Sequence, residues 1–105
     1  MKLERIEWKG DASPEEEALR KQLEEEGYSI FCWQDRPGAD YQPHSHEHDE
    51  SLWMIEGQMT FGAAGRQWPL APGDRLMLPK GTVHTAVAGP RGAKYLIGQK
   101  AEGRR

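Results

Sequence analysis

Four histidines occur in 105 residues, and three of them crowd into one stretch, His44-Ser45-His46-Glu47-His48-Asp49-Glu50. The fourth, His84, lies far downstream behind Pro79-Lys80-Gly81. Side chains two apart on a strand point the same way, so His44 and His46 project from one face at a spacing that lets two imidazoles meet one ion. An extended chain from 44 to 50 would span roughly 20 Å, too far for tips that must each lie ~2.1 Å from a metal. Glu50 can join only if the chain bends or changes strand near 47–49, and His84 must arrive from another strand. His48 shares the parity of His44 and His46. It is open to three readings: an alternative ligand, an acid-base group at a pocket mouth, or a solvated or hydrogen-bonded neighbour of the site. Three imidazoles and one carboxylate suit a divalent transition metal: imidazole suits Zn, Cu, Fe and Ni, and the carboxylate admits Mn.

Positioning such a set requires strands. From residue 28 onward, short strand-like runs at about 28–35, 40–46, 50–56, 58–62, 66–70, 75–79, 82–88 and 94–99 alternate with Gly and Pro punctuation, the pattern of an all-β sandwich or barrel. Residues 2–8 form a further candidate strand. One helix is predicted over 14–26, with Ser13 as N-cap, Pro14 in its first position, Glu16 closing a capping box and Gly27 as its stop. Its apolar stripe, Ala18, Leu19 and Leu23, is thin, which predicts a surface helix outside the core.

Residues 38–57 resemble the first cupin motif without a gap: Gly38, His44, His46, Glu50 and Gly57 stand at the family spacing. Residues 73–84 resemble the second, with Gly73, Pro79, Gly81 and His84. The Asn that usually follows four residues after the last histidine is Ala88 here. The resemblance implies a double-stranded β-helix, the RmlC-like jelly-roll barrel of small single-domain cupins, preceded by one short helix. It implies one metal ion (Mn, Fe, Ni or Zn) inside the barrel on His44, His46, Glu50 and His84, and gives His48 no ligand role. It also suggests a homodimer. The expected organisation is a single domain over 1–105: an N-terminal strand and helix in 1–27, the barrel in 28–100 and a tail in 101–105.

If Glu50 faces the barrel interior, so do Leu52 and Met54, while Ser51, Trp53 and Ile55 face out. Leu52, Met54 and Ala86 are then the expected cavity lining, and the Trp53–Ile55 face is open to cover by a second copy or by the chain's own N-terminal segment. Trp33 and Trp68 are expected in core or edge packing, and Cys32, inside the apolar run 28–33, in the core. The facing of Tyr41, Arg75 and Tyr95 is left open by the pattern.

Composition narrows the partners. With 14 Lys and Arg against 17 Asp and Glu, the net charge is −3, and no basic stripe for nucleic acid is present. No apolar run approaches ~20 residues and the N-terminus lacks an apolar signal segment, so no membrane partner and a cytoplasmic location are expected. A single cysteine excludes an intrachain disulfide and a cysteine-built zinc site. Two functions fit: a metal-dependent enzyme acting on a small molecule, of the oxygenase, isomerase or decarboxylase kind, or a non-enzymatic metal-dependent binder or sensor of a small ligand. No catalytic residue beyond the ligand set is evident.

Overall fold

The computed structural model describes residues 1–100; the expected tail, 101–105, lies outside the described residues. In chain order the elements are β1 (Glu4–Ile6), α1 (Glu16–Glu25), β2 (Ser29–Asp35), β3 (Asp40–His44), β4 (Asp49–Ala63), β5 (Arg66–Leu70), β6 (Arg75–Leu78) and β7 (His84–Lys100). All strand pairings are antiparallel. The strand order is β1-β6-β4-β7-β2, with β3 also on β7 and β5 on β4, and the sheet folds over itself as a jelly roll without closing.

Two long strands organise everything else. The predicted breaks at Gly57 and at Gly89–Gly92 do not end strands: runs 50–56 and 58–62 are one strand, β4, and runs 82–88 and 94–99 are one strand, β7. The glycines act as corners. Gly57 has φ +77°, and a Cβ there would stand 2.1 Å from the Gly92 carbonyl oxygen. The two strands therefore turn together at a point where neither tolerates a side chain. The register shifts between Met54 and Glu56 and again between Gly57 and Met59. Such irregularities re-aim the chain. Before the corner β4 lies between β6 and the end of β7; beyond it β4 lies between β5 and the start of β7.

Side-chain alternation then builds two buried clusters. Leu52 and Met54 face the interior with Met59, Phe61, Leu70, Leu76, Leu78 and Tyr95. Trp53 and Ile55 face the other way, against Leu19, Leu23, Tyr28 and Leu96. The opposed facings expected for β4 are present. The Trp53–Ile55 face is covered within the chain by α1, so of the two covers left open for it the N-terminal segment is the one present, and the face offers no exposed patch to a second copy. α1 does lie on the surface, but Leu19 and Leu23 are fully buried and make it a core contributor, while Ala18 is exposed.

The capping box is not formed. The helix starts two residues later than predicted, Glu15 takes the N-cap position without a side-chain cap, and the Glu16 carboxylate is engaged by Arg20 at 2.8 Å and Lys94 at 3.3 Å instead. Gly27 ends the helix as expected, at φ +94°. Arg75 fastens α1 to the sheet: its Nε donates to Ser51 Oγ at 2.6 Å, its other guanidinium nitrogens donate to the Glu26 carboxylate, and its plane lies over Trp53. Cys32 is exposed, contrary to expectation, because β2 is an edge strand bonded to β7 alone. Trp68 is buried as expected, its indole N–H donating to the Ala63 carbonyl at 3.0 Å.

Candidate metal centre

β3 ends at His44, the chain bends through 45–48, and β4 starts at Asp49, the change of strand that Glu50 needs. His84 opens β7 directly opposite His44, with Ala63 of β4 on its other side. The imidazole rings of His44 and His84 are 4.3 Å apart between centroids, those of His44 and His46 5.0 Å, and those of His46 and His84 5.3 Å. One nitrogen from each of the three falls within 4.8 Å of the others. A second group with the same property among the described residues is His46, His48 and Glu50. The two groups share His46.

Hydrogen bonding sets the ring tautomers. His44 Nδ1 lies 2.7 Å from the Gln42 carbonyl oxygen, and His84 Nδ1 lies 2.9 Å from that of Thr82. A carbonyl oxygen only accepts, so both Nδ1 atoms carry the hydrogen and both Nε2 atoms keep a lone pair. A ligand imidazole is usually oriented in this way. Burial pushes His84 below the ordinary imidazole range, against a smaller opposing effect of its bond to Thr82, and so favours the neutral ring. Glu50 is buried at 4% exposure and its Oε2 is surrounded by nitrogen: His48 Nε2 at 3.0 Å, Gln99 Nε2 at 3.3 Å and His46 Nε2 at 3.8 Å. Of the readings open for His48, the hydrogen-bonded neighbour is the arrangement present.

A cavity of about 230 Å³ opens beside these groups. His44, His46, Glu50 and His84 form its polar part; Leu52, Met59, Phe61, Ala86 and Ile97 form apolar wall. Leu52 and Ala86 are where the sequence put them. Met54 is not in the lining; it is fully buried in the core, and Met59 and Phe61 from beyond the β4 corner take the expected place. Tyr41 and Tyr95 face the cavity, whereas Arg75 lies in the α1 interface. Trp33 is half exposed on the cavity's edge and is not part of the core. Gln99 and Asp35 were missed. The signal available was period two: Gln99 shares parity with Tyr95 and Ile97 on β7, and Asp35 with Trp33 on β2.

The donor set fits an ion on its own chemistry: two imidazole lone pairs aimed by carbonyl partners, a third imidazole within reach, and a buried carboxylate adjoining.

The cupin domain family model matches residues 31–96. This chain belongs to the cupin family. A 43-residue stretch is 46% identical to quercetin 2,3-dioxygenase of Bacillus subtilis (strain 168), covering 40% of this cupin and 13% of that enzyme. The chain thus matches about an eighth of the length of that relative. Among solved structures, KdgF from Halomonas sp. superposes with a TM-score of 0.60 at 29% identity over 71% of each chain. An RmlC-like cupin from Shewanella frigidimarina superposes with a TM-score of 0.62 at 23% identity, over 72% of this chain and 68% of that one. The fold is thus that of the cupins, and this chain carries His/Glu groups close enough together to hold a metal. Among the described residues no helix of this cupin is long and apolar enough to cross a membrane.

Proposed function

We propose that this cupin holds one divalent transition-metal ion (Mn, Fe, Ni or Zn) on His44, His46, Glu50 and His84, and acts as an enzyme on a small molecule seated in the adjoining cavity. The observation that carries the reading is the convergence of three imidazoles, two with Nε2 lone pairs set by backbone carbonyls, at an apolar cavity that reaches solvent beside Trp33. Such an ion supplies Lewis acidity, or oxygen activation if it is iron. The rest is the work of the chain. His48 and Gln99 orient the Glu50 carboxylate. Leu52, Met59, Phe61 and Ile97 keep water from the space beside the imidazoles. Thr82 and Gln42 hold two rings in the tautomer that presents Nε2.

A cavity in contact with the candidate ligands favours an exchangeable position over a closed structural site. The alternative is a non-enzymatic binder or sensor of the same small molecule, which the paucity of acid-base groups beyond the ligand set supports. Elemental analysis of protein purified from its own host without added metal, followed by titration of the metal-free protein, tests the proposal. One ion per chain, lost in His44→Ala, is expected. Protein that carries no ion and takes up none would overturn it.

A further inference from the structure

The cavity has a second polar feature that the metal reading does not use. Asp35 stands behind the cavity wall and accepts three hydrogen bonds. Tyr95 Oη donates to Oδ2 at 2.7 Å, Tyr41 Oη donates to Oδ1, and Trp33 Nε1 donates to Oδ1 at 3.1 Å. Each phenol owns one hydrogen and a carboxylate offers only acceptors. Both phenol hydrogens are therefore committed to Asp35; Tyr41 Oη also accepts from Trp33 Nε1 at 3.3 Å, whereas Tyr95 Oη accepts from no group among the described residues and keeps its lone pairs. Burial first, then the bond to Asp35, raises Tyr95 well above the ordinary phenol range, so its hydrogen stays in place across neutral pH. No Lys or Arg is among the lining residues, and the wall between the tyrosines and the imidazoles is apolar.

We infer that the metal-free cavity selects a small, uncharged, mostly apolar molecule bearing a hydroxyl group, whose hydrogen is accepted by the Tyr95 oxygen that Asp35 holds in the acceptor state. With no ion bound, an anionic molecule finds no cation on this wall and meets an oxygen lone pair backed by a carboxylate. An ether of the same shape leaves the Tyr95 oxygen without a donor, a loss comparable to one buried hydrogen bond. The half-exposed Trp33 ring at the edge adds a flat surface for an aromatic ligand. Asp35 is a positioning residue here, since it acts through the Tyr95 phenol. The inference rests on the reading that a small molecule occupies this cavity, but not on the ion.

The test uses three probes of one size on the full-length, metal-free protein: phenol, anisole and benzoate, with dissociation constants read from the Trp33 indole resonance. Phenol should bind about tenfold more tightly than anisole and more tightly still than benzoate. In Asp35→Asn the amide donates to one tyrosine and frees that phenol's hydrogen, so the preference for phenol over anisole should shrink toward unity. Tyr95→Phe should shrink it as well, and it serves if Asp35→Asn does not fold. Equal binding of phenol and anisole by the wild type overturns the inference, as does a preference unchanged in Tyr95→Phe. Zinc titration of the same wild-type sample reads the imidazoles separately. The phenol preference without zinc uptake would sink the metal proposal and sustain this inference, and zinc uptake without the preference would do the reverse.

Discussion

The two faces of β4 put buried polar groups to opposite uses. On one face Ser51 meets Arg75, whose donors are taken up by Ser51 and Glu26 while its plane covers Trp53. On the other, one residue away, Glu50 is equally buried but sits among imidazoles at the edge of an open cavity. In the first set the guanidinium charge is paired with Glu26 and all three of its nitrogens donate, so it holds α1 in place. The second retains lone pairs on His44 and His84 Nε2, Nδ1 being the nitrogen bonded to a carbonyl in each ring. Paired charge marks the fastening face and free lone pairs the chemical one.

The largest effect belongs to the fastening face. Trp53→Glu would place a charge against Leu19, Leu23 and Leu96, and should cost more than about 4 kcal/mol, enough to unfold many domains. Chemical denaturation followed by circular dichroism measures it. A Trp53→Glu protein that keeps its stability while its solution mass halves would show instead that a second copy covers this face. For the cavity face, His44→Ala, His46→Ala and His84→Ala should each weaken metal binding by on the order of 100-fold or more, beyond the 10–100-fold typical of outer partners. The stability of the metal-free protein should change little. Competition titration against a chelator reads the first quantity and thermal melting the second; equal damage to both would erase the distinction between the faces.

Proton competition gives the next effect. Ligand imidazoles must be neutral, so affinity should fall as pH drops below about 6, the ordinary imidazole range, with more than one proton taken up per ion released. His84, held neutral by burial, should resist protonation longest. An affinity flat from pH 7 to 5 would contradict imidazole ligation. His48→Ala should be milder, weakening the ion by about tenfold or less, because Gln99 still holds Glu50. A site emptied by His48→Ala but full in His44→Ala would shift the centre to the other triad.

The smallest effect returns to the fastening face. The Arg75 guanidinium holds the Glu26 carboxyl below the usual carboxylate range. That stabilisation is complete above about pH 4.3, the ordinary glutamate value, and is lost as pH falls through the lower folded value. The Glu26 side chain is 34% exposed, so solvent screening keeps the effect to about 1 kcal/mol or less. Comparing acid unfolding of wild type and Glu26→Gln should show this part of the acid sensitivity missing from the variant.

The strand content, the helix, the bend between His46 and Glu50 and the opposed facings of residues 50–55 were all legible in the sequence, because they depend on local chemistry and on the period of two. The same period does not carry past the corner. Inward positions on β4 are Glu50, Leu52 and Met54 before Gly57, but Met59, Phe61 and Ala63 after it. A register shift moves a strand's whole side-chain set to the opposite face, and nothing in the residue types of 55–58 states how many residues the shift inserts. Gly57 and Gly92 were read as ends of strands for the same reason: a glycine needed at φ > 0 looks alike in a turn and in a corner, and only the 2.1 Å approach to the Gly92 carbonyl distinguishes them.

What the sequence determined by itself is therefore the inventory of the centre, two ordered motifs holding three histidines and a glutamate. Tertiary structure alone decided what surrounds them. Asp35 and Trp33 come from β2, Tyr41 from β3 and Tyr95 and Gln99 from β7, and they meet only because β2 and β3 both pair with β7. The covering of Trp53 and Ile55 was settled in the same way. Two buried leucines on α1 and one arginine tie are too few to register as a core in a sequence pattern, yet they suffice once the fold brings the helix against that face. Local pattern records which way a side chain points, and pairing across a hundred residues determines what it meets there.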